Sequence, residues 1–174
     1  RYFRVIDSPD ELDKLIIERN SDNKARLVAG YYKEWVSKKD KTKFDFELSS
    51  TFKKKWNLSS TKTWAIDKSS INEIGCIHTC QGLEFDYVGV IIGDDMRYEN
   101  GHIVTDYTKR ASTDNSLKGI KKIAKEQGEE EARRIADSII KNTYRTLMTR
   151  GMKGCYVYCT NAELKEYFKK KFGV

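Results

Sequence analysis

The chain has 174 residues, enough to bury a core of its own, and its 39% hydrophobic content with ten Tyr, seven Phe and three Trp argues against wholesale disorder. No apolar run approaches the ~18 residues of a membrane span, and the opening residues lack the apolar stretch of a signal peptide, so a cytoplasmic chain with no membrane partner is expected. Thirty-three Lys and Arg against 26 Asp and Glu give a net charge of +7, which favours an anionic partner such as nucleic acid without identifying one.

The chain enters without Met directly on an apolar alternation, Tyr2 to Ile6, as expected of a strand in a piece cut from a longer protein. Ser8-Pro9-Asp10-Glu11 supplies an N-cap, a first-turn Pro and two acids, and so starts a helix whose apolar positions are Leu12, Leu15 and Ile16. Ala25 to Tyr31 reads as a second strand. The lysine-rich, aromatic-studded stretch from Lys33 to about residue 70 is expected to be an insertion or an irregular lobe. Glu73 to Thr79 and Tyr87 to Gly93 are continuous apolar runs of strand length, as in strands covered on both faces of a parallel sheet.

Glu99-Asn100-Gly101 then marks a turn between Met96-Arg97-Tyr98 and His102-Ile103-Val104, which predicts a hairpin extension. Leu117 to Lys125 is a short helix and Glu129 to Thr149 a long one, with Ile135, Ala136, Ile139, Ile140, Thr143, Tyr144 and Leu147 at helical spacing. Gly151 ends it. Lys153 to Thr160 is the last strand, and Asn161 to Phe172 the last helix, capped by Asn161 with Glu163 in its first turn. The alternation predicts an α/β fold with a mostly parallel sheet flanked by helices.

Two spaced cysteine pairs, Cys76 with Cys80 and Cys155 with Cys159, raise the question of zinc. Read on strands, partners four apart are separated by about 13 Å, too far for one ion, so buried reduced thiols are the favoured reading. Gly93-Asp94-Asp95 after an apolar strand superficially matches a magnesium-binding Asp; the alternative is an ordinary structural strand. Lys53-Lys54-Lys55-Trp56, Lys62, Trp64 and the later Lys109-Arg110 form either a stacking and phosphate-contact surface for single strands or a solvated lysine face with its Trp in the core.

The most informative segment is Ile77-His78-Thr79-Cys80-Gln81-Gly82-Leu83-Glu84-Phe85. A strand ending at His78-Thr79, followed by a turn in which Gly82 lets the backbone approach closely, is expected at the carboxyl edge of a parallel sheet, where open α/β folds bind ligands. The bland alternative is a strand-to-helix turn whose Gly serves geometry alone. The segment resembles motif V of superfamily 1 helicases, and Thr143 to Gly154, with Thr149-Arg150 closing a helix before the terminal strand, resembles motif VI in the right order. With the Val88 to Asp95 and Gly154 to Cys159 strings, the chain is similar to the C-terminal part of a bacterial family of helicase-like ATPases related to Schlafen-type helicase domains. The resemblance is clear over the last two-thirds of the chain and weaker before Ser70.

It implies that residues 1–174 are a second RecA-like domain with the P-loop NTPase fold. Arg150 would be the arginine finger, with Arg145 a second, weaker candidate about 140° round the helix. Gln81, Gly82 and Glu84 would face the nucleotide, and His78 and Thr79 the nucleic acid, single-stranded or duplex. Lys55, Trp56, Lys109 and Arg110 would add to that surface. No Gly-x-x-x-x-Gly-Lys-Ser/Thr loop exists in the chain, so ATP and Mg2+ would be held by an N-terminal RecA-like domain in cis. The competing class is a non-catalytic nucleic-acid-binding or regulatory module on a degenerate helicase fold, which the presence or absence of that loop in the longer protein would decide.

Overall fold

The computed structural model describes residues 2–57 and 63–174. Its strands are β1 (Tyr2–Val5), β2 (Ala25–Ala29), β3 (Phe46–Glu47), β4 (Lys53–Trp56), β5 (Glu73–Gly75), β6 (Phe85–Ile92), β7 (Met96–Glu99), β8 (His102–Thr105) and β9 (Gly151–Cys159). The helices are α1 (Pro9–Glu18), α2 (Ile120–Gln127), α3 (Glu129–Met148) and α4 (Ala162–Phe172). Among the described residues the main sheet runs β1-β9-β6-β2-β5-β4-β3, parallel throughout except for the β3–β4 pair. The expected α/β class with a mostly parallel, helix-flanked sheet is therefore what the chain forms.

Alternation along the central strands sorts their side chains onto two faces. Val88, Val90 and Ile92 of β6 join Ile140, Tyr144 and Leu147 of α3 and Leu164 and Phe168 of α4. Ile91 of the same strand joins Leu12 and Ile16 of α1 on the opposite face, with Phe46, Phe52 and Trp56. Every β2 residue and Val88–Ile92 are covered on both sides, and these positions are apolar except Arg26, whose buried guanidinium donates to the Ser70 hydroxyl and the Ala25 carbonyl, each at 2.7 Å. The caps form as the sequence requires: Ser8 accepts from the Glu11 N–H at 3.1 Å, and Asn161 accepts from the Leu164 N–H at 2.8 Å. The hairpin turns through Asn100 and Gly101, both at positive φ, and pairs Met96 with Thr105. Among the described residues no helix is long and apolar enough to cross a membrane.

Four expectations need correction. The strand expected over Glu73 to Thr79 stops at Gly75, because the Thr79 hydroxyl accepts the Cys76 N–H at 2.7 Å and the Cys80 N–H closes on the Cys76 carbonyl at 3.0 Å. Cys76 and Cys80 are thus one turn apart, so the strand-spacing argument fails for them and holds only for Cys155 and Cys159 on β9. All four are buried, and among the described residues no cluster of three or more His, Cys, Asp or Glu is placed to hold a metal ion. The region 33–70, expected as an insertion or irregular lobe, contributes β3 and β4, and β4 extends the sheet by pairing in parallel with β5. The short helix expected from Leu117 begins at Ile120, after a 3-10 turn capped by Asp114.

Candidate functional site

Strands β5 and β6 lie parallel on either side of β2, so residues 76–84 must carry the chain from the carboxyl edge of the sheet back to its amino edge. They do so without a helix. Cys80 packs in the α3-side core with Ile77 and Leu83 against it, while His78, Gln81, Gly82 and Glu84 remain exposed. The expected motif residues are therefore divided between two edges of the sheet, not gathered at the carboxyl edge.

At the amino edge the loop is joined to the end of α3. The Phe85 N–H donates to the Arg150 carbonyl at 2.9 Å, and the Arg150 guanidinium donates to the Leu83 carbonyl at 3.4 Å. Arg150 is half-buried, and its Nε has no hydrogen-bond partner among the described residues. Its charge opposes the burial that pushes the Cys80 thiol up. Gly82 sits at φ +75 with nothing within 4 Å of where a Cβ would stand, so it serves backbone conformation and not close packing. A recess of about 460 Å³ opens here beside Leu83, Glu84 and Lys24, flanked by the exposed side chains of Ile66 and Met152. Arg145 is exposed on α3.

At the carboxyl edge His78 lines a cleft of about 860 Å³ with Tyr31, Glu34, Trp35, Lys38, Lys39 and Thr113. Thr79, expected beside it on a nucleic-acid surface, is buried and its hydroxyl is committed to Cys76. The Tyr31 hydroxyl bonds Thr113 at 2.6 Å, and Glu34 accepts the Ser112 N–H at 2.6 Å, which closes the far wall.

The basic and aromatic residues of the sequence separate in the same way. Trp56 is buried, donates its Nε1–H to the Lys33 carbonyl at 3.0 Å and packs edge-on against Phe46 and Tyr31, so it offers no stacking face. Trp64 is also buried, against Phe85. Lys55 reaches the Lys41 carbonyl and lies over the Phe44 ring, and Lys54 pairs with Asp13 at 2.8 Å. Lys109 is exposed; Lys62 lies outside the described residues. Arg110 is no surface contact: its side chain is 1% exposed and pairs with Asp95 at 2.9 Å and Asp114 at 2.7 Å. Asp95 is thereby structural, and Asp94 accepts the Thr160 hydroxyl at 2.7 Å. Trp35 escaped the sequence reading, although its position just beyond the carboxyl end of β2, among Lys33, Lys38 and Lys39, was the available signal.

A Saccharomyces cerevisiae protein described as uncharacterized, YPL245W, is 24% identical over 168 residues, covering 94% of this chain. The chain spans 36% of that protein's length. No solved structure matches the chain. The family model for the Schlafen group 3, DNA/RNA helicase domain matches residues 2–161, nearly the whole chain, and the protein therefore belongs to that family.

Proposed function

We propose that this chain is the second RecA-like domain of a nucleic-acid-dependent ATPase, and that Arg150 reaches the phosphates of a nucleotide held by a Walker A domain elsewhere in the longer protein. The observation that carries this reading is the joint between the loop containing Gln81, Gly82 and Glu84 and the end of α3. It ties the loop that carries these exposed residues, through Leu83 and Phe85, to an arginine whose only side-chain hydrogen bond among the described residues is long and to a carbonyl. A half-buried guanidinium on a backbone anchored to the loop, with only one long side-chain hydrogen bond, suits contact with an anionic oxygen arriving from outside the domain. That is the one respect in which the residues present fit ATP.

They do not fit Mg2+ in the same way. Asp95 is committed to Arg110 and Tyr144, and Asp94 to Thr160, so the ion would be held by the nucleotide's phosphates and the other domain. Bound nucleotide supplies the phosphoanhydride to be cleaved. What this chain contributes is positive charge at the γ-phosphate from Arg150, orientation from the Gln81–Glu84 loop, and a nucleic-acid contact at His78.

In the longer protein, Arg150→Ala should lower turnover by roughly 10³-fold while ATP still binds, and Arg150→Lys should recover little, because an ammonium lacks the planar fork. Steady-state ATPase and equilibrium nucleotide binding separate the two effects. Normal turnover in the Ala variant would remove Arg150 from the chemistry and the proposal with it.

A further inference from the structure

The structure assigns a second role to the carboxyl-edge cleft: we propose that it receives one unpaired base of a single-stranded nucleic acid, stacked on Trp35, with the flanking phosphates on Lys38 and Lys39. The inference rests on the nucleic-acid reading above and names a subsite for it.

Of the three tryptophans, Trp56 and Trp64 are buried and hydrogen-bonded or ring-packed inside the fold. Trp35 alone is half-exposed, packed at the border of the α1-side core and lining the cleft. The Lys38 ammonium lies 4.9 Å from the centroid of its ring, so the indole already holds a cation that a phosphate would attract. Lys38 and Lys39 are both exposed, whereas the opposing carboxylate, Glu34, is tied to the Ser112 N–H and hydroxyl at 2.6 and 3.1 Å.

The segment that carries these residues is firmly built. Buried Asp45 accepts the Ser37 N–H at 2.9 Å, the Ser37 hydroxyl at 2.7 Å and the Trp56 N–H at 2.8 Å, which ties the turn bearing Trp35 and Lys38 to β4. An aromatic platform on a rigid turn, a cationic rim and an exposed imidazole on the facing loop match what sequence-tolerant single-strand binders use: a π-face for the base and charge for the backbone. On binding, Lys38 would move from the Trp35 ring to a phosphate, leaving the ring to the base.

The test uses the emission of this chain's own tryptophans. Titration with an unlabelled single-stranded oligonucleotide at low salt should quench emission saturably, and Trp35→Phe should abolish the quench while binding, read by anisotropy of a labelled strand, persists. Trp35→Ala should weaken binding about five- to 150-fold, the range expected for loss of one base stack. If that variant unfolds, the doubly substituted Lys38→Ala, Lys39→Ala chain takes its place and should weaken binding with a shallower salt dependence. A free mononucleotide should quench far less than the strand at equal concentration. Equal quenching by the mononucleotide, or a quench that survives in Trp35→Phe, overturns the proposal. Full affinity in Trp35→Ala with the domain folded overturns the cleft but leaves nucleic-acid binding standing. No binding of any strand at low salt overturns the nucleic-acid reading itself.

Discussion

At the scale of single residues, the carboxyl edge is organised by a buried ionic cluster and not by a catalytic one. Asp95 accepts the Tyr144 hydroxyl at 2.5 Å and Arg110 at 2.9 Å, and Arg110 is shared with Asp114. Burial pushes the Asp95 carboxyl up, while Arg110 and the Tyr144 hydroxyl pull it down. The Tyr144 oxygen also accepts the Gly93 N–H at 3.1 Å, which fastens the end of β6 to α3. Removing one member leaves a buried opposite charge and an orphaned hydroxyl, the costly way to break such a set. Asp95→Ala should therefore destabilise the fold by about 3–5 kcal/mol, read from the denaturant midpoint at unchanged slope. A loss below about 1 kcal/mol would mean that Asp114 alone satisfies Arg110.

At the scale of elements, strands stop where aromatic rings cross their ends. Gly93 closes β6 under the Tyr32 ring, and Gly30 follows β2 under the Tyr144 ring, so an added methyl at either meets a side chain with no room to move. Gly93→Ala should cost about 1–3 kcal/mol by overpacking. Gly82→Ala, at φ +75 in open space, should cost only about 1 kcal/mol, by backbone strain alone. Thermal melts of the two variants give the order directly; an equal loss would show that Tyr32 yields. The same local forces explain what could be read from the chain. Helices α1 and α4 were legible because Ser8 and Asn161 cap them through bonds made within three residues. β6 and β9 were legible as apolar runs. β3 and β4 were not, since Phe46 gains its place by pairing with Lys54 and packing edge-on against Trp56, contacts that no local pattern announces. The motif segment is recognisable in the sequence, but its division between two edges depends on the Thr79 side-chain bond that ends β5 early. The adjacent lysines imply an exposed Trp56 in sequence, whereas alternation on β4 turns that Trp inward.

At the scale of the molecule, residues 76–84 join two faces: Arg150, Leu83 and Glu84 at the amino edge, His78 and Trp35 at the carboxyl edge. With seven excess positive charges and Lys38 and Lys39 beside the cleft, nucleic-acid affinity should be dominated by counterion release. A strand laid across that rim and making about four phosphate contacts should lose affinity with a logarithmic slope near −2.8, or about 50-fold between 50 and 200 mM salt. Base stacking on Trp35 does not release ions, so Trp35→Phe should shift the whole line without changing its slope, whereas Lys38→Ala should flatten the slope by about 0.7. The two variants therefore separate the stacking and phosphate parts of one cleft in a single set of anisotropy titrations. A slope near zero in the unaltered chain would show that the positive charge of this domain has no part in holding the strand.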